Sequence, residues 1–171
     1  MPLRQIFFFV ILIQMLASCS PPPSQQAQSL NWADLRPQNA PDLAIPEVNT
    51  RLSSPTGLGE SRKNEQIQDF AIVEDLDGVY ARLPGYLLPI DYGEGGAARG
   101  FLLLPYHGAC IHAPPPPPNQ IVVVHTETPF VIKKMWEPVW VTGLFKIERS
   151  DTDLANAAYT MRADDITPYA P

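Results

Sequence analysis

The chain has little sulfur, little positive charge and no apolar run long enough to span a bilayer. Two of its 171 residues are cysteines, and one of them, Cys19, sits at the end of a leader. Cys110 is then the single thiol of the mature chain, which excludes an internal disulfide. A lone thiol in an oxidising compartment is buried and inert, metal-bound, or paired with another molecule. Lysine and arginine number 12 against 18 aspartates and glutamates, a formal net charge of −6 that grows by one when Arg4 leaves with the leader. Without a basic stripe the chain is no nucleic-acid binder, and it has no polybasic patch for anionic lipid. Internal repeats and heptads are absent too.

What is present begins with export. Arg4 supplies a positive start, Ile6 to Leu16 an apolar stretch, and Leu16-Ala17-Ser18-Cys19 a small-residue close. The stretch is too short to cross the hydrocarbon core comfortably, so residues 1–18 read as a signal peptide. Leu16 to Cys19 resembles the lipobox of bacterial lipoproteins, which implies a palmitate-type lipid anchor on Cys19. Several acyl chains on one residue hold a protein stably on a membrane. With Ser20 following, the resemblance implies the periplasmic face of the outer membrane.

Residues 19–66 read as a lipidated, proline-rich tether. Pro21-Pro22-Pro23, Pro37, Pro41, Pro46 and Pro55 punctuate it, and few apolar residues lie between them. Such a segment buries too little surface to offset its ordering entropy, and as a coil it would reach roughly 35–40 Å. One piece, Leu30-Asn31-Trp32-Ala33-Asp34-Leu35, reads as a helical turn that docks Trp32 on the globular part.

Residues 67–171 read as one small, mainly β domain. Val79 to Leu88 is a strand bent at Pro84-Gly85, Asp91 to Gly100 a glycine-rich hairpin turn, and Phe101 to Leu104 a buried strand. Ile121 to His125, Trp140 to Glu148 and Tyr159 to Arg162 complete the set, with a short helical turn expected within Ser150 to Ala158. Trp140 is expected to pack inside and Trp136 to be exposed. A sheet this small gains from closure, so the expected fold is an OB-like β-barrel, with a small sandwich as the alternative.

The chemistry-bearing stretch is Tyr106-His107-Gly108-Ala109-Cys110-Ile111-His112, closed by Pro114 to Pro118. Zinc-type sites want nitrogen and sulfur ligands in tetrahedral geometry. Cys110 and His112 would share a face of a strand, and Gly108 would free His107 to turn towards them. A hairpin across the proline loop that pairs His112 with Ile121 would set His125 opposite Gly108. A thiolate with imidazoles suits zinc or copper. A buried, inert cysteine is the plainer reading. A thiol enzyme using Cys110 and a histidine base is weaker, because no orienting group or oxyanion donor is legible nearby. The proline run is either a polyproline rod offered to a partner or a rigid loop pinning two strands. Ser150-Asp151-Thr152-Asp153 lacks the glycine and distal glutamate of a calcium loop and reads as a turn.

These residues also carry a resemblance. Arg82-Leu83-Pro84-Gly85-Tyr86-Leu87-Leu88-Pro89, Phe101 to Pro105, Gly108-Ala109-Cys110-Ile111-His112, the proline run with Asn119-Gln120, and Val139-Trp140-Val141-Thr142-Gly143 are similar to a bacterial lipoprotein family. That family is known as a domain of unknown function (three-two-nine-nine). Glu148 to Leu154, Tyr159 and Trp32 to Leu35 continue the likeness. The resemblance implies an envelope protein beside transport or metal-responsive systems, with envelope or transporter proteins as partners. It names no activity. The sequence therefore predicts a non-enzymatic, lipid-anchored binding protein of the periplasm.

Overall fold

The computed structural model describes residues 26–40, 66–91, 93–111, 113–134 and 136–169. The leader, Cys19, His112 and residues 41–65 of the tether lie outside them. Among the described residues six strands follow in order: β1 (Gln28–Ser29), β2 (Tyr80–Pro89), β3 (Ala97–Leu104), β4 (Val122–Val131), β5 (Val139–Asp151) and β6 (Asn156–Pro168). They form one sheet in the order β1-β2-β3-β4-β6-β5, and β5 also pairs with β2. All pairs are antiparallel except β1 with β2 and β4 with β6. The five longer strands thus curl round in the order of a partly open OB-type barrel, as expected. Among the described residues no helix is long and apolar enough to cross a membrane.

The sheet is not a true barrel because β2 changes partner along its length. Tyr80 to Gly85 pair with β5, whereas Tyr86 to Pro89 pair with β3. The switch falls at the Pro84-Gly85 bend. A Cβ on Gly85 would stand 2.7 Å from the Leu104 carbonyl oxygen and 3.0 Å from Cζ2 of Trp32, so only glycine lets the backbones approach this closely.

The gap left by the switch is filled from the N-terminal side. β1 lies parallel to β2 at Ala81 and Arg82, and the backbone N–H of Leu30 donates to the Arg82 carbonyl. A single 3-10 turn, Trp32–Leu35, follows with a full capping box between Asn31 and Asp34. The Trp32 indole N–H donates to the Pro84 carbonyl at 2.7 Å. Leu30 and Leu35 are buried in the main core. The buried Tyr159 accepts from the Val73 N–H and donates to the Leu35 carbonyl, tying this segment to β6. Trp32 is docked as expected, and residues assigned to the tether are part of the folded body.

Two cores explain the unbroken apolar runs. Phe101, Leu103, Val122 and Val124 face the main core with Phe145, Tyr159 and Met161. Their neighbours Leu102, Leu104 and Val123 face a second core with Leu88, Cys110, Ile121 and Ala157. A strand covered on both faces loses the alternating pattern, and each large apolar side chain it buries contributes roughly 1.5–3 kcal/mol. The cover over the second face is the loop from Pro105 to Ile121.

Two expectations are corrected. Ser150 to Ala158 holds no helical turn: β5 runs to Asp151, β6 starts at Asn156, and the Thr152 hydroxyl closes the hairpin by donating to the Ala155 carbonyl at 2.7 Å. The short helical turns are 3-10 turns elsewhere, at Trp32–Leu35, Glu74–Leu76, Glu94–Gly96 and Pro118–Gln120. Trp140 faces outward, because Val141, Gly143 and Phe145 take the inward positions of β5; Arg82 lies 4.5 Å over its ring and Tyr169 stacks beside it.

Candidate functional site

The proline loop and its single thiol were expected to gather metal ligands. The structure instead packs the loop against its own sheet. The Gly108 carbonyl accepts from the N–H groups of Ile111 and Ala113, which closes the turn around Cys110. Cys110 holds a left-handed backbone, φ 66°, uncommon outside glycine and asparagine. Its side chain is 5 % exposed among Leu88, Leu102, Leu104 and Ile121. Burial in hydrocarbon pushes the thiol up to about 12, which favours the protonated form at neutral pH and leaves it a poor nucleophile. Tyr106 beside it is likewise raised to about 12, chiefly by burial and secondarily by the Cys110 charge. Its hydroxyl donates to the Pro114 carbonyl.

The hairpin expected to bring His125 to His107 and Cys110 does not form. β3 pairs with β4 so that Leu103 faces Val122 and Gly100 faces His125. The loop between them is longer than supposed, and His125 lies opposite Gly100, not Gly108. His125 is exposed, with Arg162 as its other neighbour. His107 is exposed too, stacked on Trp136 at 5.0 Å between centroids and edge-on to Tyr86 at 6.0 Å. His112 lies outside the described residues. Among the described residues no three histidines, cysteines or carboxylates come together to hold a metal ion.

The proline run points inward. Pro115, Pro116 and Pro118 are buried, Pro114 and Pro117 half-buried. The buried Gln66 donates to the carbonyls of Pro116 and Asn156 and accepts from the Asn156 N–H, all at 2.8 Å. Asn119 donates to Ala71 and Gln120 to Trp32. The run is a stiff strap over the second core.

An open site lies where β4 and β6 part. Their parallel pairing ends at Thr126 and Ala163. Both strands are irregular there: β4 loses register with β3 between His125 and Phe130, and β6 with β5 between Ala163 and Asp165. Pro129, which has no N–H, sits in the first irregularity, and bulges bend a strand away from its neighbour. Beyond this point β4 follows β3 and β6 follows β5. Two clefts occupy the resulting wedge and share Phe130 and Ile166 as walls. The outer one, about 160 Å³, is apolar; Leu87, Trp136 and Val139 line it, with Lys133 and Lys134 at its rim. The other, at the Thr126–Ala163 end, about 200 Å³, is polar and open to solvent, with Thr126, Thr128 and the exposed Asp164 and Asp165.

Trp136 is the hinge between this wedge and the Cys110 loop. It walls the outer cleft, packs on the second core and stacks on His107. Its backbone is left-handed as well, φ 67°; Cys110 and Trp136 are the two non-glycine residues with positive φ among those described. Such strain costs about 1–3 kcal/mol, persists only where surroundings impose it, and clusters at ligand sites. The sequence signal for the wedge was the proline inside an otherwise β-forming run, Val122 to Val131.

The model of a family described as "Protein of unknown function (DUF3299)" matches residues 32–168. The crystal structure of a DUF3299 family protein from Pseudomonas aeruginosa PAO1 is 41% identical, covering 85% of this chain and 97% of its own, with a TM-score of 0.70. No curated protein matches the sequence.

Proposed function

The chain belongs to the DUF3299 family, and from that premise we propose that it is a non-catalytic accessory protein of the bacterial cell envelope. It hangs by lipid on Cys19 from the periplasmic face of the outer membrane and offers the cleft beside Trp136 to a protein partner. The observation that carries this reading is the left-handed Trp136, an aromatic residue held at an energetic cost as the wall of an apolar cleft. Half-buried aromatics beside a pocket are the usual anchors of protein interfaces. The lipid anchor rests on the Leu16 to Cys19 motif. A zinc or copper centre at Cys110, His112, His107 and His125 is not the reading this geometry favours, because the sulfur is lodged in hydrocarbon and His125 is turned to another part of the sheet.

Two measurements test the reading. A Cys19→Ser chain should lose palmitate labelling and move to the soluble periplasmic fraction; unchanged membrane attachment refutes the anchor. A photo-crosslinking residue at Val131, which is 49% exposed on the cleft, should give a discrete adduct in cells that Trp136→Ala removes. Identical adducts from a probe at Glu74, remote in sequence from the cleft, would discard the site.

A further inference from the structure

The wedge has features that the cleft alone does not use. Beyond Thr126 on β4 and beyond Ala163 on β6, each strand has a ladder partner on one side only. Among the described residues their facing edges are unpaired backbone, the usual acceptor of an added strand. The unpaired stretches run over residues 127–131 and 164–168, roughly 17 Å at the rise of a strand. The Thr126 hydroxyl at the narrow end is buried without a hydrogen-bond partner among the described residues, where burial of an unpaired polar group costs free energy.

Charge selects the occupant. The narrow end carries Asp164 and Asp165, whose charges, after burial, help push the nearby Tyr80 phenol up. The mouth carries Lys133 and Lys134; Lys134 pairs with Glu137 at 3.6 Å, and Lys133 has no ion pair among the described residues. An occupant therefore brings positive charge inward and negative charge outward. Thr126 and Ala163 are paired with one another, so an added strand cannot continue past them and must end there. A chain end with positive charge is an amino terminus. The outer cleft, at about 160 Å³, holds the volume of roughly five waters, enough for one aliphatic side chain.

We propose that the wedge between β4 and β6 accepts the extended amino-terminal segment of a partner protein as a strand parallel to both. Its ammonium group meets Asp164 and Asp165, an aliphatic side chain fills the cleft beside Trp136, and acidic residues follow at Lys133 and Lys134. The proposal rests on the cleft reading and supplies the chemistry of the partner. The molecule already makes one such addition within itself, where β1 lies parallel on β2.

The test uses the full mature chain with Cys19→Ser and the peptide Ala-Thr-Leu-Thr-Val-Ser-Glu-Glu, fluorescently labelled at its carboxyl end. The peptide should bind saturably and slow amide exchange over residues 127–131 and 164–168. Acetylating its amino group, or replacing Asp164→Asn with Asp165→Asn, should weaken binding at least about tenfold. Methylating alternate backbone nitrogens should abolish it, since each removes a ladder donor. Equal binding of the acetylated peptide overturns the amino-terminus assignment. Equal binding of the methylated peptide, with loss in Trp136→Ala, overturns strand addition and leaves the cleft reading standing. No binding at millimolar peptide overturns the inference, and the Val131 adduct then decides the cleft reading separately. Wedge amides already protected in the free chain also overturn it, because the chain would then fill the wedge itself.

Discussion

The sheet has two gaps, and the chain treats them differently. At the first, where β2 leaves β5 for β3, residues 28–35 supply a short strand, a docked indole and two buried leucines. At the second, where β4 leaves β6, the described residues supply no cover, and a buried hydroxyl stays unpaired. Both gaps arise from the same physics, a strand bent away from one neighbour. The first is sealed with backbone hydrogen bonds and hydrocarbon, so it behaves as core. The second is lined by aromatics, carboxylates and lysines, so it behaves as a site.

Substitutions at the sealed gap should be costly, and the largest effect is expected at Gly85. Gly85→Val puts branched carbon where a Cβ alone would already lie 2.7 Å from the Leu104 carbonyl oxygen. Backbone cannot move aside as a flexible side chain can, so the loss should be about 4 kcal/mol or more, seen as aggregation or a large fall in Tm. Trp32→Ala follows. It removes a half-buried indole and leaves the Pro84 carbonyl without its donor, for about 3 kcal/mol in denaturant melts. A Trp32→Ala chain as stable as the parent would erase the distinction between the two gaps.

Much of the fold was legible because it depends on local chemistry. Pro84-Gly85 announced a bend, the glycines around Gly93 to Gly96 a hairpin, and the alternation in Trp140 to Glu148 a half-exposed strand. The run Leu30 to Leu35 read as a helical turn docking Trp32 inside a segment that otherwise looked like linker, and its capping box at Asn31 and Asp34 is the local reason that it forms. What failed depended on register. The pairing of β3 with β4 decides where His125 goes, and nothing local fixes the length of the loop between them. Trp140 was misplaced inward for a related reason: alternation defines two faces without saying which is inside. The unbroken runs at Phe101 to Leu104 and Val122 to Val124 did hold the missing clue. They imply cover on both faces, and that cover is the loop that had looked like a metal site.

The loop's role as cover makes its own prediction, of intermediate size. Cys110 is pushed from 9.0 to about 12 by burial. Between those values the folded chain keeps a proton that the unfolded chain has shed. Stability should therefore be unaffected by this group below about pH 9 and fall as pH rises towards 12, by up to ~1.4 kcal/mol per pH unit. Cys110→Ala should flatten that decline, leaving a smaller part from Tyr106. Chemical denaturation from pH 8 to 11 checks it. An equally steep fall in the variant would mean that the thiol is not sealed, and that this region resembles the open wedge more than the closed gap.

The smallest effect has the opposite sign and bears most directly on the comparison. In a sealed region, replacing a polar group breaks a hydrogen bond and destabilises the fold. Among the described residues the Thr126 hydroxyl has no bond to break. Thr126→Val keeps the β-branched shape that suits a strand and removes an unpaired buried oxygen. The free chain should gain up to about 1 kcal/mol, a rise of a few degrees in Tm for a domain of this size. The same variant should bind the free-amino peptide more weakly, because the oxygen that costs stability in the empty wedge would accept from the ammonium group. Gain of stability with loss of affinity is the mark of a site held open for a ligand. A variant that loses both would place Thr126 in the ordinary hydrogen-bonded interior and make the second gap another piece of core.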